Sequence, residues 1–221
     1  MVERKEDLNQ LIQWKDEQVI KVVTGIRRCG KSTLLAQYQS WLKENNISEK
    51  QIVSINFEEL EYEELLDYKK LYAYLKEHMV SGAKTYIFLD EIQKVTDFEK
   101  VVDSIYVKPD VDIYITGSNA YMLSGDLATL LTGRYVEIKM LPLSFSEFLD
   151  LTKLDKNSGF QDYMQNGGLP YLAVMNRTPQ KVDIYLEGIY NTVIVKDIED
   201  RQLRKESDPA KRKITDITLL K

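Results

Sequence analysis

Two spacings of apolar residues alternate along this chain. Val19 to Thr24 (VIKVVT), Gln51 to Phe57 (QIVSINF), Thr85 to Glu91 (TYIFLDE), Asp112 to Ser118 (DIYITGS) and Tyr135 to Met140 (YVEIKM) are short runs rich in β-branched and aromatic residues, the composition of strands. VIKVVT and TYIFLDE are almost unbroken apolar runs, as expected of strands covered on both faces of a parallel sheet. Between the runs the spacing becomes helical. Leu8, Leu11, Ile12 and Trp14 predict a short leading helix, and Leu34, Leu35, Tyr38, Trp41 and Leu42 predict one that ends near Asn45-Asn46. Residues 58–80 read mostly as helix, with Glu58, Glu59, Glu61, Glu63 and Glu64 as its wet face. Thr96 with Glu99 has the letters of a capping box ahead of FEKVVDSIYV, a helix that Pro109 should stop. Strands alternating with helices through residue 140 predict an α/β fold with a parallel sheet.

Past Pro142 only the helical spacing remains. Ser144 with Glu147 and Ser158 with Gln161 read as two more capping boxes, and Thr178-Pro179 as an N-cap followed by proline at the first helical position. Val182, Tyr185, Leu186, Ile189, Val193 and Ile194 then mark a long amphipathic helix. The expected division is an α/β core with its leading helix at residues 1–140 and a smaller helical domain at 141–221. Ile214, Ile217 and Leu220 keep helical spacing to the last residue with nothing to close the element, which predicts that the chain is part of a longer protein.

Composition narrows the function classes. With 43% apolar residues in 221, the chain can bury a sizeable core and is not a disordered segment. One cysteine and one histidine, His78, exclude a disulfide framework and a Cys/His zinc cluster. The charged start MVERKEDLNQ has no apolar signal core, and no run approaches the roughly 20 apolar residues of a membrane span. The expectation is a cytoplasmic protein with no membrane partner. Thirty Lys and Arg against 35 Asp and Glu, a net charge of -5, leave no global excess for a polyanion. The basic cluster RQLRKESDPAKRK, Arg201 to Lys213, reads as a solvated linker or, with weaker support, a DNA contact.

The candidate chemistry lies at Gly25 to Thr33. Gly25, Ile26, Arg27, Arg28, Cys29, Gly30, Lys31 and Ser32 satisfy G-x-x-x-x-G-K-[ST], and Thr33 follows in the helix. Average residue usage gives such a match by accident in about one chain of this length in a hundred. This match also falls between a buried strand and a helix, where phosphate loops occur. The glycines permit main-chain N–H groups to turn inward, and the helix dipole adds positive potential. Lys31 would reach the outer phosphates and the Ser32 hydroxyl would be a ligand of Mg²⁺. Arg27 and Arg28 read equally as phosphate contacts or as solvated, salt-paired residues. Cys29 reads as a small filler whose pKa the neighbouring Arg27, Arg28 and Lys31 should lower, making it sensitive to alkylation.

The acid pair ending TYIFLDE supplies the other half of a site. Asp90 would emerge at the C-terminal end of its strand, the edge where ligands bind in open α/β sheets, and hold Mg²⁺ through a water. Glu91 points elsewhere because successive strand side chains alternate. It is free to polarise a water for in-line attack on a γ-phosphate. The competing reading is an ordinary strand-to-loop exit. At the end of the fourth strand, Asn119, or Ser118, would stand between Lys31 and Glu91 if that strand lies between the first and third. The same TGSNA letters also describe a plain turn. No N-K-x-D stretch is present to read guanine.

GIRRCGKSTLL, IFLDEIQKV, ITGSNAYML, LTGRYVEIKMLPLSFSEF and GGLPYL together resemble the AAA+ and signal-transduction group of P-loop ATPases. More narrowly they resemble predicted bacterial and archaeal ATPases that carry a further C-terminal domain of unknown function. The likeness runs from about Leu8 to Asp200 and would account for the open C-terminal end. It implies a P-loop NTPase fold with a five-stranded parallel sheet in the order 5-1-4-3-2, a small helical lid, and Mg²⁺-dependent hydrolysis of ATP. It also implies that Pro170 packs near the adenine and that Arg134 senses phosphate or acts as a finger, although a helix start and an interdomain salt bridge explain the same two residues. The lid arginine of many such proteins is not identifiable, which favours a nucleotide-driven conformational switch over a ring-forming motor. The alternative is a nucleotide-gated module, with little turnover, that binds a protein or DNA partner.

Overall fold

A computed structural model describes residues 2–117, 131 and 133–191. By packing, the chain divides into two units, Met1–Met175 and Asn176–Lys221. The first unit contains five parallel strands, β1 (Ile20–Thr24), β2 (Ile52–Asn56), β3 (Thr85–Asp90), β4 (Val111–Thr116) and β5 (Tyr135–Lys139). Their order across the sheet is β2-β3-β4-β1-β5, which is the expected 5-1-4-3-2 counted from the opposite edge. All four pairings are parallel, so every connection is a crossover. The helices α1 (Lys5–Gln13), α2 (Lys31–Glu44), α3 (Tyr68–His78) and α4 (Phe98–Tyr106) belong to these crossovers or precede them.

The period of two along each strand sorts side chains between two cores. Val22, Ile87, Leu89, Ile113 and Ile115 join Leu71 and Leu75 of α3 and Val101 and Ile105 of α4 on one face. Val23, Tyr86, Phe88 and Tyr114 join Leu8 and Leu11 of α1 and Leu34, Tyr38 and Leu42 of α2 on the other. Burial on both faces is why β1, β3 and β4 are buried at every position and why no polar alternation marks them in the sequence.

After β5 come α5 (Phe145–Thr152), α6 (Lys156–Asn166) and α7 (Pro170–Val174). Leu143, Phe148 and Ala173 form a separate small core there, with Val2, Leu151 and Tyr163 against it. In the second unit, α8 (Pro179–Ile189) starts as expected, with Thr178 accepting from the Lys181 N–H and proline in the first turn. No helix among the described residues is long and apolar enough to cross a membrane.

Local expectations fail in three places. Thr96 is not the cap of α4: Asp97 occupies that position at φ 57, without a side-chain cap. Ser158 is not the cap of α6, because Asp155, three residues earlier, accepts from the N–H groups of Asn157 and Ser158. The expected long helix after Phe57 is a 3₁₀ stretch, Leu60–Leu66, followed by α3, which Asp67 caps through the N–H groups of Lys69 and Lys70. Asp67 accepting from two amides starts a new helix there, which divides the acidic run. The basic cluster at Arg201 to Lys213 and the open C-terminal helix lie outside the described residues.

Candidate functional site

Because the strands are parallel, their C-terminal ends share one edge of the sheet. The registers Thr116 beside Val23, Leu89 beside Ile115 and Asn56 beside Asp90 put the loop after β1, the end of β4 and the acid pair of β3 next to one another on that edge. The crevice there is the expected ligand position in an open α/β sheet.

The loop leaves β1 at Gly25, whose φ is 155. A Cβ on Gly25 would lie 2.4 Å from Met140 O and 2.8 Å from Cys29 Sγ, so only glycine lets the loop pass the end of β5. Arg28 at φ 67 and Gly30 at φ 106 take left-handed conformations, the alternation from which anion-binding nests are built. Helix α2 then begins at Lys31. Its first turn points N–H groups and the positive end of its dipole at the loop.

Lys31 is buried, 5% exposed. Its Nζ donates to Gly25 O at 3.3 Å and stands 3.9 Å from Glu91 Oε1. The loop and the acid pair therefore meet. Thr116, fully buried at the end of β4, joins the two acids: its Oγ1 donates to Asp90 Oδ1 and accepts the Glu91 N–H at 3.0 Å. The sequence reading passed over Thr116 for Asn119 and Ser118. Both of those lie outside the described residues, and the signal for Thr116 was its place as the last strand residue before a glycine.

Ser32 and Asp90 are the candidate magnesium ligands. A hydroxyl and a carboxylate are hard oxygen donors and few in number, the set Mg²⁺ takes when phosphates and waters complete its shell. The donor chemistry fits. Among the described residues no group of three or more His, Cys, Asp or Glu is arranged to hold a metal unaided.

A cleft of about 650 Å³ runs along the loop from Gly30 to Thr33 and past Glu91. Arg27, Arg28, Lys31 and Glu58 are among its polar lining residues. Arg27 Nη2 lies 3.3 Å from Glu58 Oε1, both side chains about half exposed, so Arg27 is salt-paired as well as cleft-lining. Val2, Leu143, Leu151, Pro170, Tyr171 and Val174 supply apolar lining. Pro170 is thereby brought to the site: its Cγ would be 3.9 Å from a Cβ on Gly30. The remaining apolar lining was not foreseen, since its residues come from the N-terminus, the link after β5 and two short helices whose spacing reads only as core.

Arg4 was also missed. It is 5% exposed, donates through Nη2 to Leu141 O at 2.7 Å and through Nη1 to Cys29 O at 3.4 Å, and pairs with Asp7 at 3.0 Å and Glu147 at 3.1 Å. One guanidinium thus ties α1, the glycine loop, the exit of β5 and α5 together.

One expectation is overturned. Cys29 has no lowered pKa: it is fully buried, and desolvation pushes its thiol up against the smaller opposing influence of Lys31 and Arg4. Arg134 is not at this edge. It immediately precedes β5, where Ile20 N donates to its carbonyl at 2.9 Å. Five strand residues separate it from the loop, about 16 Å at strand rise. Its guanidinium lies 3.7 Å from Asp103 and over the Tyr106 ring, both on α4, so it does not reach phosphate in its own cleft.

Residues 17–149 match the family model described as "AAA domain". An uncharacterized protein of Haemophilus influenzae is 44% identical over 207 residues, covering 91% of this chain and 51% of the relative. One of Methanocaldococcus jannaschii is 28% identical, covering 84% and 44%. The chain thus spans about half the length of the curated relatives it matches. Among solved structures, a Walker-type ATPase of Pyrococcus abyssi superposes with a TM-score of 0.61 at 18% identity, covering 94% of this chain and 77% of that one. The Aeropyrum pernix ORC1 protein, solved in complex with DNA, gives 0.51 at 12%, covering 78% and 58%. With a glycine loop and an acid pair on one lip of a 5-1-4-3-2 sheet, the chain belongs to the AAA-domain family of P-loop ATPases.

Proposed function

We propose that this chain binds ATP with Mg²⁺ and hydrolyses it, and that hydrolysis resets a conformational switch between the phosphate loop and the helices after β5. The observation that carries this reading is the 3.9 Å approach of Lys31 Nζ to Glu91 Oε1, with Asp90 and Glu91 both held by Thr116. The loop amides and Lys31 bind the triphosphate. The apolar lining of the cleft, Pro170 included, receives the adenine. Ser32 and Asp90 would hold Mg²⁺, which supplies charge neutralisation on the phosphate oxygens. Glu91 orients and polarises the attacking water, and an expelled phosphate leaves Lys31 without its anionic partner. The switch is supported by Arg4, which touches the loop carbonyl of Cys29 and the α5 carboxylate of Glu147 at once, so a change at the loop is felt at α5.

The test is a pair of substitutions. Glu91→Gln should reduce ATP turnover by about a hundred-fold while calorimetry still detects ATP binding. Lys31→Ala should weaken binding itself, by about ten-fold or more. Unchanged turnover in Glu91→Gln removes Glu91 from the mechanism. A wild-type chain that binds ATP without cleaving it points instead to a nucleotide-gated binding module. Turnover measured with and without duplex DNA then separates a DNA-coupled switch from one read by a protein.

A further inference from the structure

We propose that Gln93 is the positioning residue for Glu91, which rests on the reading of Glu91 as the water-polarising group. The chain turns sharply at Glu91, whose φ of 56 and ψ of 44 are left-handed, a conformation that residues with side chains adopt at a cost and that concentrates at functional sites. The 3₁₀ turn Ile92–Lys94 follows, closed by the Lys94 N–H to Glu91 O at 3.1 Å and anchored by the fully buried Ile92. This turn folds residue 93 back over residue 91. Gln93 Nε2 then donates to Glu91 Oε2 at 2.5 Å. The orientation of the amide is dictated, because an ionised carboxylate only accepts.

The two carboxylate oxygens thereby acquire different surroundings. Oε2 is held by Gln93, and Oε1 faces the ammonium of Lys31 at 3.9 Å. That separation is an ångström longer than a direct charge-assisted bond. The terminal torsion of a glutamate is soft, so electrostatics alone would let the carboxylate swing onto the lysine. The hydrogen bond from Gln93 opposes that collapse and keeps Glu91 from closing into a direct ion pair with Lys31.

Stability does not explain the arrangement. Among the described residues Gln93 Oε1 is buried without a hydrogen-bond partner, which costs stability. Among the described residues its side chain bonds to Glu91 and to nothing else. A residue that leaves one polar atom unpaired in order to hold a candidate base is placed for the base.

Two variants test this in the full chain. Gln93→Met keeps length and removes the donor, and Gln93→Glu keeps shape and sets a second carboxylate against Glu91. The expected result is a fall in kcat of about ten-fold or more in both, the larger fall in Gln93→Glu, with KM and Kd for Mg-ATP and the melting temperature unchanged. Wild-type kcat in Gln93→Met overturns the proposal. So does a fall in affinity or melting temperature that accounts for the lost rate, which is what a scaffold role produces. If Gln93→Met melts without cooperativity, Gln93→Glu decides by the same criteria. Wild-type protein with no turnover would defeat the hydrolase reading itself, whereas an active wild type, an inactive Glu91→Gln and an unaffected Gln93→Met defeat this proposal alone.

Discussion

At Gly25 the constraint is a carbonyl oxygen 2.4 Å from where a Cβ would stand. Gly25→Ala should displace the loop or the end of β5. It is expected to destabilise the protein by about 1–3 kcal/mol and to abolish measurable ATP binding; an alanine variant that melts and binds like wild type would show that the loop can shift freely. Cys29, four residues on, illustrates how burial reverses a sequence argument. Its cationic neighbours in the letters would activate the thiol, but the side chain is fully buried and desolvation dominates. A thiol reagent at neutral pH should label it slowly, at a rate set by opening of the fold and accelerated by denaturant. Rapid stoichiometric labelling of the native protein would contradict the burial.

At the level of elements, four S/T-x-x-E/Q patterns are available as helix starts and two are used: Ser48 with Gln51 forms a capping box on the short 3₁₀ turn Glu49–Gln51, and Ser144 with Glu147 caps α5. Ser144 accepts from the Glu147 N–H, and Glu147 accepts from the Ser144 N–H at 2.8 Å. Ser144→Ala should therefore cost about 1 kcal/mol, while Thr96→Ala and Ser158→Ala should stay within about 0.5 kcal/mol of wild type; urea unfolding of the three variants measures the contrast. Tertiary burial decides between them. Phe98, Val101, Val102 and Ile105 must enter the core, which fixes the start of α4 at a residue after Asp97 and leaves the Thr96 hydroxyl out of register. At α6 the carboxylate of Asp155 reaches two amides and displaces Ser158 as cap.

Across the whole molecule, the sheet face under α1 and α2 carries a buried polar network that the letters did not announce. Lys21 and Asp112 pair at 2.5 Å with side chains essentially unexposed. Tyr114 donates to Asp112 at 2.8 Å, and the hydroxyls of Tyr38 and Tyr114 meet at 2.9 Å. Desolvation raises all three tyrosines of this face, Tyr86 to about 12 and Tyr38 and Tyr114 further, from the usual 10.0. Their native forms keep protons that the unfolded chain releases, so the stability they support is complete below pH 10 and is lost as pH rises above it. Lys21, whose pKa burial lowers from 10.5, acts in the opposite sense but is one group against three. Alkaline unfolding should begin near pH 10, with tyrosinate absorbance rising together with the loss of helical signal. Free ionisation of all tyrosines in a still-folded protein would refute this.

The sequence by itself determined the elements of the α/β core to within a residue or two at most strand ends, because strands buried on both faces leave runs that few other structures tolerate. It also determined the glycine loop and the acid pair, since a passage past Met140 O demands glycine at that position. Tertiary structure alone decided which distant groups meet. Residue spacing carries no information about partners more than a turn or a strand pair away, so Thr116 between the acids, Arg4 against the loop and the apolar wall of the cleft emerged only when the strand ends were brought to one edge. The same rule placed Arg134 at the opposite edge: a parallel strand carries its first residue as far from the loop as its own length allows.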